Sequence, residues 1–202
     1  MGLALDRFRK WLPLVLILLI AGCATPKRAI YLDPGLNPSS ISKITLLPVL
    51  DSRIEKKTDV NIPLHILEAG MRILNMKRYK VILSDNMGGV EQITENDLKS
   101  EDSEWIKQLG PTEARWVMAL VLVDYRTKLI FLSLEGYAEV AGFLYDKENG
   151  RIVWRDKGIG KSTSPSGLLG VAAGIVYENR LCKLAIYLAM DNLLASIPIR
   201  SK

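Results

Sequence analysis

The stretch WVMALVLVDYR, residues 116–126, decides the fold. Its first eight residues are apolar almost without alternation, whereas a strand with one side in solvent alternates apolar and polar positions. Such a run is typical of a central strand that is covered on both faces. Trp116, Met118 and Leu120 are then expected on one face of the sheet, with the residues between them on the other.

The segments before this strand alternate between strand and helix patterns. Residues 41–53 are rich in Leu and β-branched residues, residues 64–78 repeat apolar positions at helical spacing, and residues 79–85 again favour a strand. Residues 94–110 follow as a second predicted helix, with Thr94 as its N-cap and acidic residues in its early turns. Right-handed crossovers make these early strands parallel.

The segments after residue 126 predict an antiparallel meander and a last helix. Alternation appears within residues 129–146, and Asn149-Gly150 supplies a turn into the next strand. Residues 176–197 form a helical pattern that is apolar on more than one face. The sequence therefore predicts an α/β fold, a mixed sheet in the order β-α-β-α-β-β-β-α with helices packed on it.

The N-terminal residues have the pattern of a secretory signal. Three basic residues and one acid precede a short apolar run, Trp11 to Ile20. A helix of about 10 residues rises about 15 Å, half of a hydrocarbon core of about 30 Å, so the run is too short for a permanent membrane span. We therefore expect residues 1–22 to direct export and then to be removed.

The residues at the end of this signal, Ile20-Ala21-Gly22-Cys23, resemble the lipobox of bacterial lipoproteins. The resemblance implies cleavage before Cys23, a diacylglyceryl group on its thiol, and a fatty acid such as palmitate on the new amine. Ala24, rather than Asp, implies delivery to the outer membrane, with the inner membrane as the alternative. An ordinary signal peptide with a chance cysteine is the alternative to lipidation.

Three regions follow from this interpretation. Residues 1–22 are a lipoprotein signal peptide, residues 23–40 an acylated N-terminus and flexible tether, and residues 41–202 a single periplasmic α/β domain. The signal holds three basic residues and one acid, so its removal leaves a slightly basic chain without a long Lys/Arg run, which argues against nucleic-acid binding. Once Cys23 is acylated, Cys182 has no disulfide partner, and we expect a small buried thiol rather than a reactive one.

Three further stretches carry a family resemblance: ITLLPV at residues 44–49, LGPTEARWV at 109–117 and NGRIVW at 149–154. With the element order, they resemble small periplasmic lipoproteins related to the curli-secretion lipoprotein CsgG and the N-terminal domain of TolB. The resemblance implies a scaffold of a secretion, transport or envelope-biogenesis system, often assembled as a ring. The chain lacks the long pair of amphipathic strands by which CsgG enters a membrane, so a large pore is disfavoured.

Residues suited to catalysis or metal binding are scarce. His65 is the only histidine, which excludes a histidine-rich metal site, and its position in the first helix favours a surface or capping role. Gly158-x-Gly160 lacks the third glycine of a dinucleotide loop. Asp124 and Glu135 are the remaining candidate acid pair. We expect no enzyme activity, no metal and no cofactor.

The segment before the last helix is rich in glycine among small apolar residues, and its GxxxG spacing allows close helix approach. A self-association surface is therefore predicted, although a flexible loop or a shallow membrane contact are alternatives. Its candidate residues are Gly167, Gly170, Gly174, Leu184 and Leu188. The function expected is a non-catalytic membrane-anchored scaffold whose partners are envelope proteins or its own copies. The alternative is an accessory lipoprotein that binds a small ligand or lipid.

Overall fold

A mixed sheet of seven strands forms the centre of the fold in the computed structural model, which describes residues 29–53, 61–88, 96–130, 133–165 and 174–200. The strands are β1 (Tyr31–Leu32), β2 (Lys43–Leu46), β3 (Leu50–Asp51), β4 (Lys80–Leu83), β5 (Trp116–Ile130), β6 (Ser133–Asp146) and β7 (Arg151–Pro165). The helices are α1 (Ile62–Met76), α2 (Ser103–Gln108) and α3 (Gly174–Leu194), with short 3₁₀ helices at Pro38–Ser40 and Asp97–Lys99.

The strand order is β1-β7-β6-β5-β2-β4, and β3 also pairs with β5. The early strands β2, β3 and β4 run parallel to their neighbours, while β5, β6 and β7 form an antiparallel meander. Both features confirm the predicted α/β class. The first predicted strand, residues 41–53, is divided into β2 and β3, and Pro48 between them has no N–H to continue the ladder.

Strand β5 is covered on both faces, as its unbroken apolar run predicts. One face of its first half packs in the core under α1 and α3, and the other packs in a second core beneath α2. The first core takes Trp116, Met118, Leu120 and Leu122, and the second takes Val117, Ala119 and Val121. Because side chains alternate along a strand, this one segment contributes residues to two separate cores.

Helix α3 lies unusually close to β7 because two strand glycines leave room for its backbone. A Cβ added at Gly158 would stand 2.6 Å from the Leu193 Cβ and would also meet the Ala189 carbonyl oxygen. A Cβ added at Gly160 would meet the Ala185 carbonyl. The Gly158-x-Gly160 pair is therefore a packing surface for a helix, and small residues on α3 complete the contact.

The end of α3 is tied to the turn between α1 and β4. The Lys77 Nζ donates to the Ile197 carbonyl over 2.7 Å, and the Tyr79 hydroxyl donates to the Pro198 carbonyl over 2.8 Å. Burial lowers the pKa of Lys77, and burial raises the pKa of Tyr79 to about 12. These contacts tie the C-terminal end of α1 to the segment that follows α3.

The N-terminal segment differs from the flexible tether expected up to residue 40. Tyr31 and Leu32 pair with the edge of β7, and the Asp33 N–H continues the ladder to the Val153 carbonyl over 2.9 Å. The Asp33 carboxylate also forms an ion pair with Arg151 at 2.8 Å. An edge strand offers unpaired backbone groups, and these residues satisfy part of that edge. Residues 1–28, which include the predicted signal and Cys23, lie outside the described residues.

The second predicted helix is shorter than the expected span of residues 94–110. Helix α2 begins at Ser103, where Asp102 is the N-cap and its Oδ1 accepts from the Glu104 N–H over 2.9 Å. The preceding residues form only a 3₁₀ turn, which nevertheless buries Leu98. The predicted cap, Thr94, lies outside the described residues. The acidic segment is therefore not one continuous helix, because Asp102, in its middle, is the N-cap at which the helix begins.

Candidate functional site

Helix α3 presents two leucines to solvent, while its other described apolar residues are buried or half-buried against the sheet and α1. Leu184 is 49% exposed and Leu188 is 38% exposed, one helical turn apart. Leu181, Ile186, Met190 and Leu193 are buried. We call Leu184 and Leu188 the leucine ridge. Because α3 covers the sheet with its other face, the fold does not need the two ridge leucines for its core. This agrees with the sequence, in which the helix is apolar on more than one face.

Polar groups surround the leucine ridge. Tyr187, which lies between the two leucines in sequence, is half-buried, and the Arg72 guanidinium of α1 stacks over its ring at 5.3 Å from the centroid. Arg180, Lys183 and Asp191 are exposed on the same helix. An apolar centre with a charged rim is the usual anatomy of a protein-protein contact.

The glycine residues predicted for self-association are only partly described. Gly174 is the first residue of α3, whereas Gly167 and Gly170 lie outside the described residues. The structure therefore brings Leu184 and Leu188 together on one helix face and leaves the glycine contribution a prediction. Cys182, by contrast, is buried in the larger core, as its position in the helical pattern predicts.

The candidate catalytic residues are not assembled into a site. Asp124 lies opposite Glu139, and Glu135 lies opposite Lys128, so the two candidate acids are separated by four residues along β6, roughly 13 Å. The His65 Nδ1 lies 3.3 Å from a Glu68 carboxylate oxygen within α1. In the described ranges, no group of three His, Cys, Asp or Glu residues is placed to hold a metal ion.

A groove that the sequence reasoning missed runs beside β1 on the sheet face opposite α1 and α3. It comprises two neighbouring cavities of about 210 and 180 Å³, and Arg155 lines both. The larger cavity is also lined by Tyr31, Glu101, Arg151 and Ile152, and the smaller by Ile30, Lys99, Ala141, Phe143, Asp156 and Lys157. We call this the Arg155 groove.

The cations of the Arg155 groove differ in how they are paired. Arg151 forms an ion pair with Asp33, and the Lys157 Nζ lies 3.1 Å from a Glu139 oxygen. The Arg155 Nε is buried and has no hydrogen-bond partner among the described residues. Its guanidinium stacks over Tyr31, 5.7 Å from the ring centroid.

The rim of this groove carries exposed apolar residues from the start of the described chain. Ile30 is 62% exposed and Tyr31 is 39% exposed, whereas Leu32 pairs with Trp154 and points to the opposite face of the sheet. The sequence signal for the groove is a set of cations at alternate positions of β7, Arg155 and Lys157, followed by Ile159 and Lys161 on the same face. Period two places these side chains on one face of the sheet.

None of the helices in the described ranges combines the length and the hydropathy that a membrane crossing requires.

Comparison with known proteins gives likeness at the level of solved structures. No protein-family model matches the chain, and no curated protein matches it significantly. A lipoprotein from Neisseria meningitidis is 20% identical, with a TM-score of 0.45, over 69% of this chain and 97% of its own. A hypothetical protein from Chlamydia trachomatis is 16% identical, with a TM-score of 0.46, over 77% of this chain and 92% of its own.

A third similar structure is the PelC dodecamer from Paraburkholderia phytofirmans. It is 17% identical, with a TM-score of 0.44, and the match covers 84% of this chain and 94% of that chain. At these identities and TM-scores the likeness carries no argument about what this chain does. The relationship to CsgG and TolB stays a prediction.

Proposed function

We propose that the protein is a non-catalytic lipoprotein of the bacterial envelope, anchored through acyl chains on Cys23 and acting as a scaffold or assembly component. It faces the periplasm from the outer membrane, and its partners are other envelope proteins or its own copies. The observation that carries the proposal is the leucine ridge, Leu184 and Leu188, which is exposed on a helix whose other side is already packed. The lipobox at residues 20–23 supports the anchor.

The leucine ridge is too small to hold two proteins together by itself. Full burial of a leucine side chain is worth about 1.5–3 kcal/mol, so covering the exposed half of each ridge leucine gives about 1 kcal/mol. A symmetric contact between two copies buries four such leucines, about 4 kcal/mol before the entropy cost of association. The ridge is therefore one part of a larger contact. Confinement of anchored copies in one membrane raises their effective concentration and favours such a weak contact.

Pull-down of the acylated protein from gently solubilised envelopes tests the scaffold. Wild type is expected to retain partner proteins or additional copies of itself, and Leu188→Ser is expected to retain several-fold less. Ile159→Ser is the matched control because Ile159 is 46% exposed but lies on β7, away from the ridge. If all three proteins retained equal amounts of partner, the leucine ridge would not be the contact surface.

The anchor has its own test. Intact mass of the membrane-extracted protein is expected to show a chain that begins at Cys23 and carries acyl groups. Cys23→Ser is expected to abolish this modification and change the membrane fraction in which the chain is found. An unmodified Cys23 in the wild-type protein would overturn the anchor without bearing on the ridge.

A second candidate function, a lipoprotein that binds a lipid or another small ligand, is favoured by one observation. The Arg155 groove combines apolar walls with a buried guanidinium nitrogen that has no hydrogen-bond partner among the described residues. A recess with few polar groups among apolar walls is typical of a ligand site.

A further inference from the structure

The buried Nε of Arg155 has no hydrogen-bond acceptor among the described residues. A buried polar N–H without a hydrogen bond is costly, and the cost is higher for a charged group. The described residues give Arg155 no ion pair, only the face of the Tyr31 ring. An anion in the groove would supply the missing acceptor, and a guanidinium matches phosphate oxygens with two parallel hydrogen bonds.

The two ends of the groove differ in chemistry. The end at Glu101 holds an acid beside Arg151, which is already paired with Asp33. The other end has apolar walls from Ile30, Ala141 and Phe143, and Lys99 and Lys157 accompany Arg155 there. Asp156, the acid at this end, accepts hydrogen bonds from the Ser196 hydroxyl and the Lys157 N–H. The second end therefore suits a ligand with both an anionic group and carbon chains.

The path of the chain places this groove near the membrane. Ala29 is the first described residue, and Ile30 lines the groove directly. Six residue steps separate Cys23 from Ala29, which at 3.3–3.6 Å per residue reach at most about 20 Å. This step rests on the proposed acylation of Cys23. With that anchor, the groove lies within reach of the headgroup layer, and the exposed Ile30 and Tyr31 line the groove itself.

We propose that the Arg155 groove binds the phosphate headgroup of an anionic phospholipid of the anchoring membrane. Arg155 donates hydrogen bonds to the phosphate, Lys99 adds positive charge, and Ile30 and Phe143 contact the glycerol and the first acyl carbons. The surface docks the domain on the bilayer in one orientation. A zwitterionic lipid is disfavoured because its ammonium group would lie among these cations.

Titration of the purified full-length protein with short-chain lipids tests the groove. The probes are dihexanoylphosphatidylglycerol, dihexanoylphosphatidylcholine and inorganic phosphate, each below its micelle concentration where it forms micelles, with binding measured by calorimetry. Wild type is expected to bind the phosphatidylglycerol at least tenfold more tightly than either other probe. Arg155→Gln is expected to weaken that binding about ten- to a hundredfold, since it removes a charge-assisted contact.

Two further variants separate the groove from general surface charge. Arg155→Lys keeps the positive charge without the planar fork and is expected to bind with intermediate affinity. Arg126→Gln is the matched control, because Arg126 is exposed on the same sheet face, stacked over Tyr137 at 4.6 Å, and outside the groove. It is expected to bind like wild type. Thermal unfolding of each variant confirms that the fold is retained.

Several results would overturn the proposal. Inorganic phosphate binding as tightly as the lipid would make the groove a free-anion site, and equal binding of the zwitterionic lipid would remove the headgroup selectivity. An equal loss in Arg126→Gln would assign the binding to diffuse surface charge. Failure of the Cys23 anchor would appear in the intact mass of the protein, whereas failure of the groove would appear in this titration, which uses no bilayer.

Discussion

Substitution of Gly158 by alanine is a direct test of how closely helix α3 approaches the sheet. The added Cβ would stand 2.6 Å from both the Leu193 Cβ and the Leu193 N, and it would also meet the Ala189 carbonyl oxygen. Ordinary carbon contacts are about 3.5 Å or longer, so the helix has to move about 1 Å away from β7. Backbone atoms of a helix cannot swing aside as the end of a flexible side chain can.

The magnitude follows from the packing that this shift loosens. A radial gap of about 1 Å loses up to half of the dispersion attraction across the contact, and overpacked cores cost about 1–3 kcal/mol, occasionally more. Replacing a strand glycine by alanine returns about 0.5–1 kcal/mol in conformational entropy. Because the clash is with helix backbone atoms, we expect a net loss near the upper end of this difference, about 2 kcal/mol, which at about 2–4 °C per kcal/mol lowers Tm by about 4–8 °C.

Thermal unfolding followed by tryptophan fluorescence measures this loss, and Gly70→Ala is the matched control. Gly70 lies within α1, where the three atoms nearest to an added Cβ are side-chain methyls, those of Leu120 and Met190 at 3.3 Å and that of Leu46 at 3.7 Å. Helix propensity favours alanine there by about 1 kcal/mol. The same chemical change is therefore expected to leave Tm unchanged or raise it. A Gly158→Ala protein that melts within about 2 °C of wild type would refute the close approach of α3.

Three further variants test other parts of the fold. Tyr79→Phe is expected to reduce the loss of folding free energy between pH 10 and pH 12. The pKa of Tyr79 is about 12 in the folded protein against 10.0 for the free side chain, so the unfolded chain ionises first as the pH rises, which costs wild type on the order of 2 kcal/mol. Identical urea midpoints for both proteins across that range would contradict this. Asp146→Asn weakens the hydrogen bonds of a buried carboxylate to Arg115 and should cost about 1–2 kcal/mol in urea unfolding; a neutral result would show that the pair contributes nothing. Leu120→Ala, at the fully buried centre of β5, should cost about 2–5 kcal/mol, and a loss under 1 kcal/mol would argue against a doubly covered strand.

Local hydrophobic pattern was sufficient for the main elements of this fold. The apolar run of β5 and the helical spacing of α1 and α3 are properties of single segments, and each forms where its pattern predicts. Strand β1 escaped prediction because only Tyr31 and Leu32 pair, and their pairing depends on the edge that β7 offers. The start of α2 was misplaced because acids before Asp102 suit a helix N-terminus equally well.

The surfaces were less predictable than the elements. The leucine ridge follows from counting apolar positions on one helix, so the sequence points to Leu184 and Leu188 directly. The Arg155 groove joins Ile30, Lys99, Phe143 and Arg155, which are far apart along the chain and meet only through strand pairing. The role of Gly158-x-Gly160 was also hidden, because the contact that requires glycine lies on α3, more than twenty residues later.

The positions of the two surfaces allow both to be used at once. The Arg155 groove lies on the sheet face that carries Ala141 and Phe143, whereas α3 packs on the other face, where Trp154 is buried. The leucine ridge points outward from that helix, so the full thickness of the sheet and helix layers separates it from the groove. A domain docked on the membrane through the groove therefore keeps Leu184 and Leu188 free for a partner. Docking of this kind would also fix the orientation of every copy that the proposed acylation anchors. It would thereby reduce the rotational entropy cost of a contact between two ridges, so that lipid binding would strengthen assembly without touching the ridge itself.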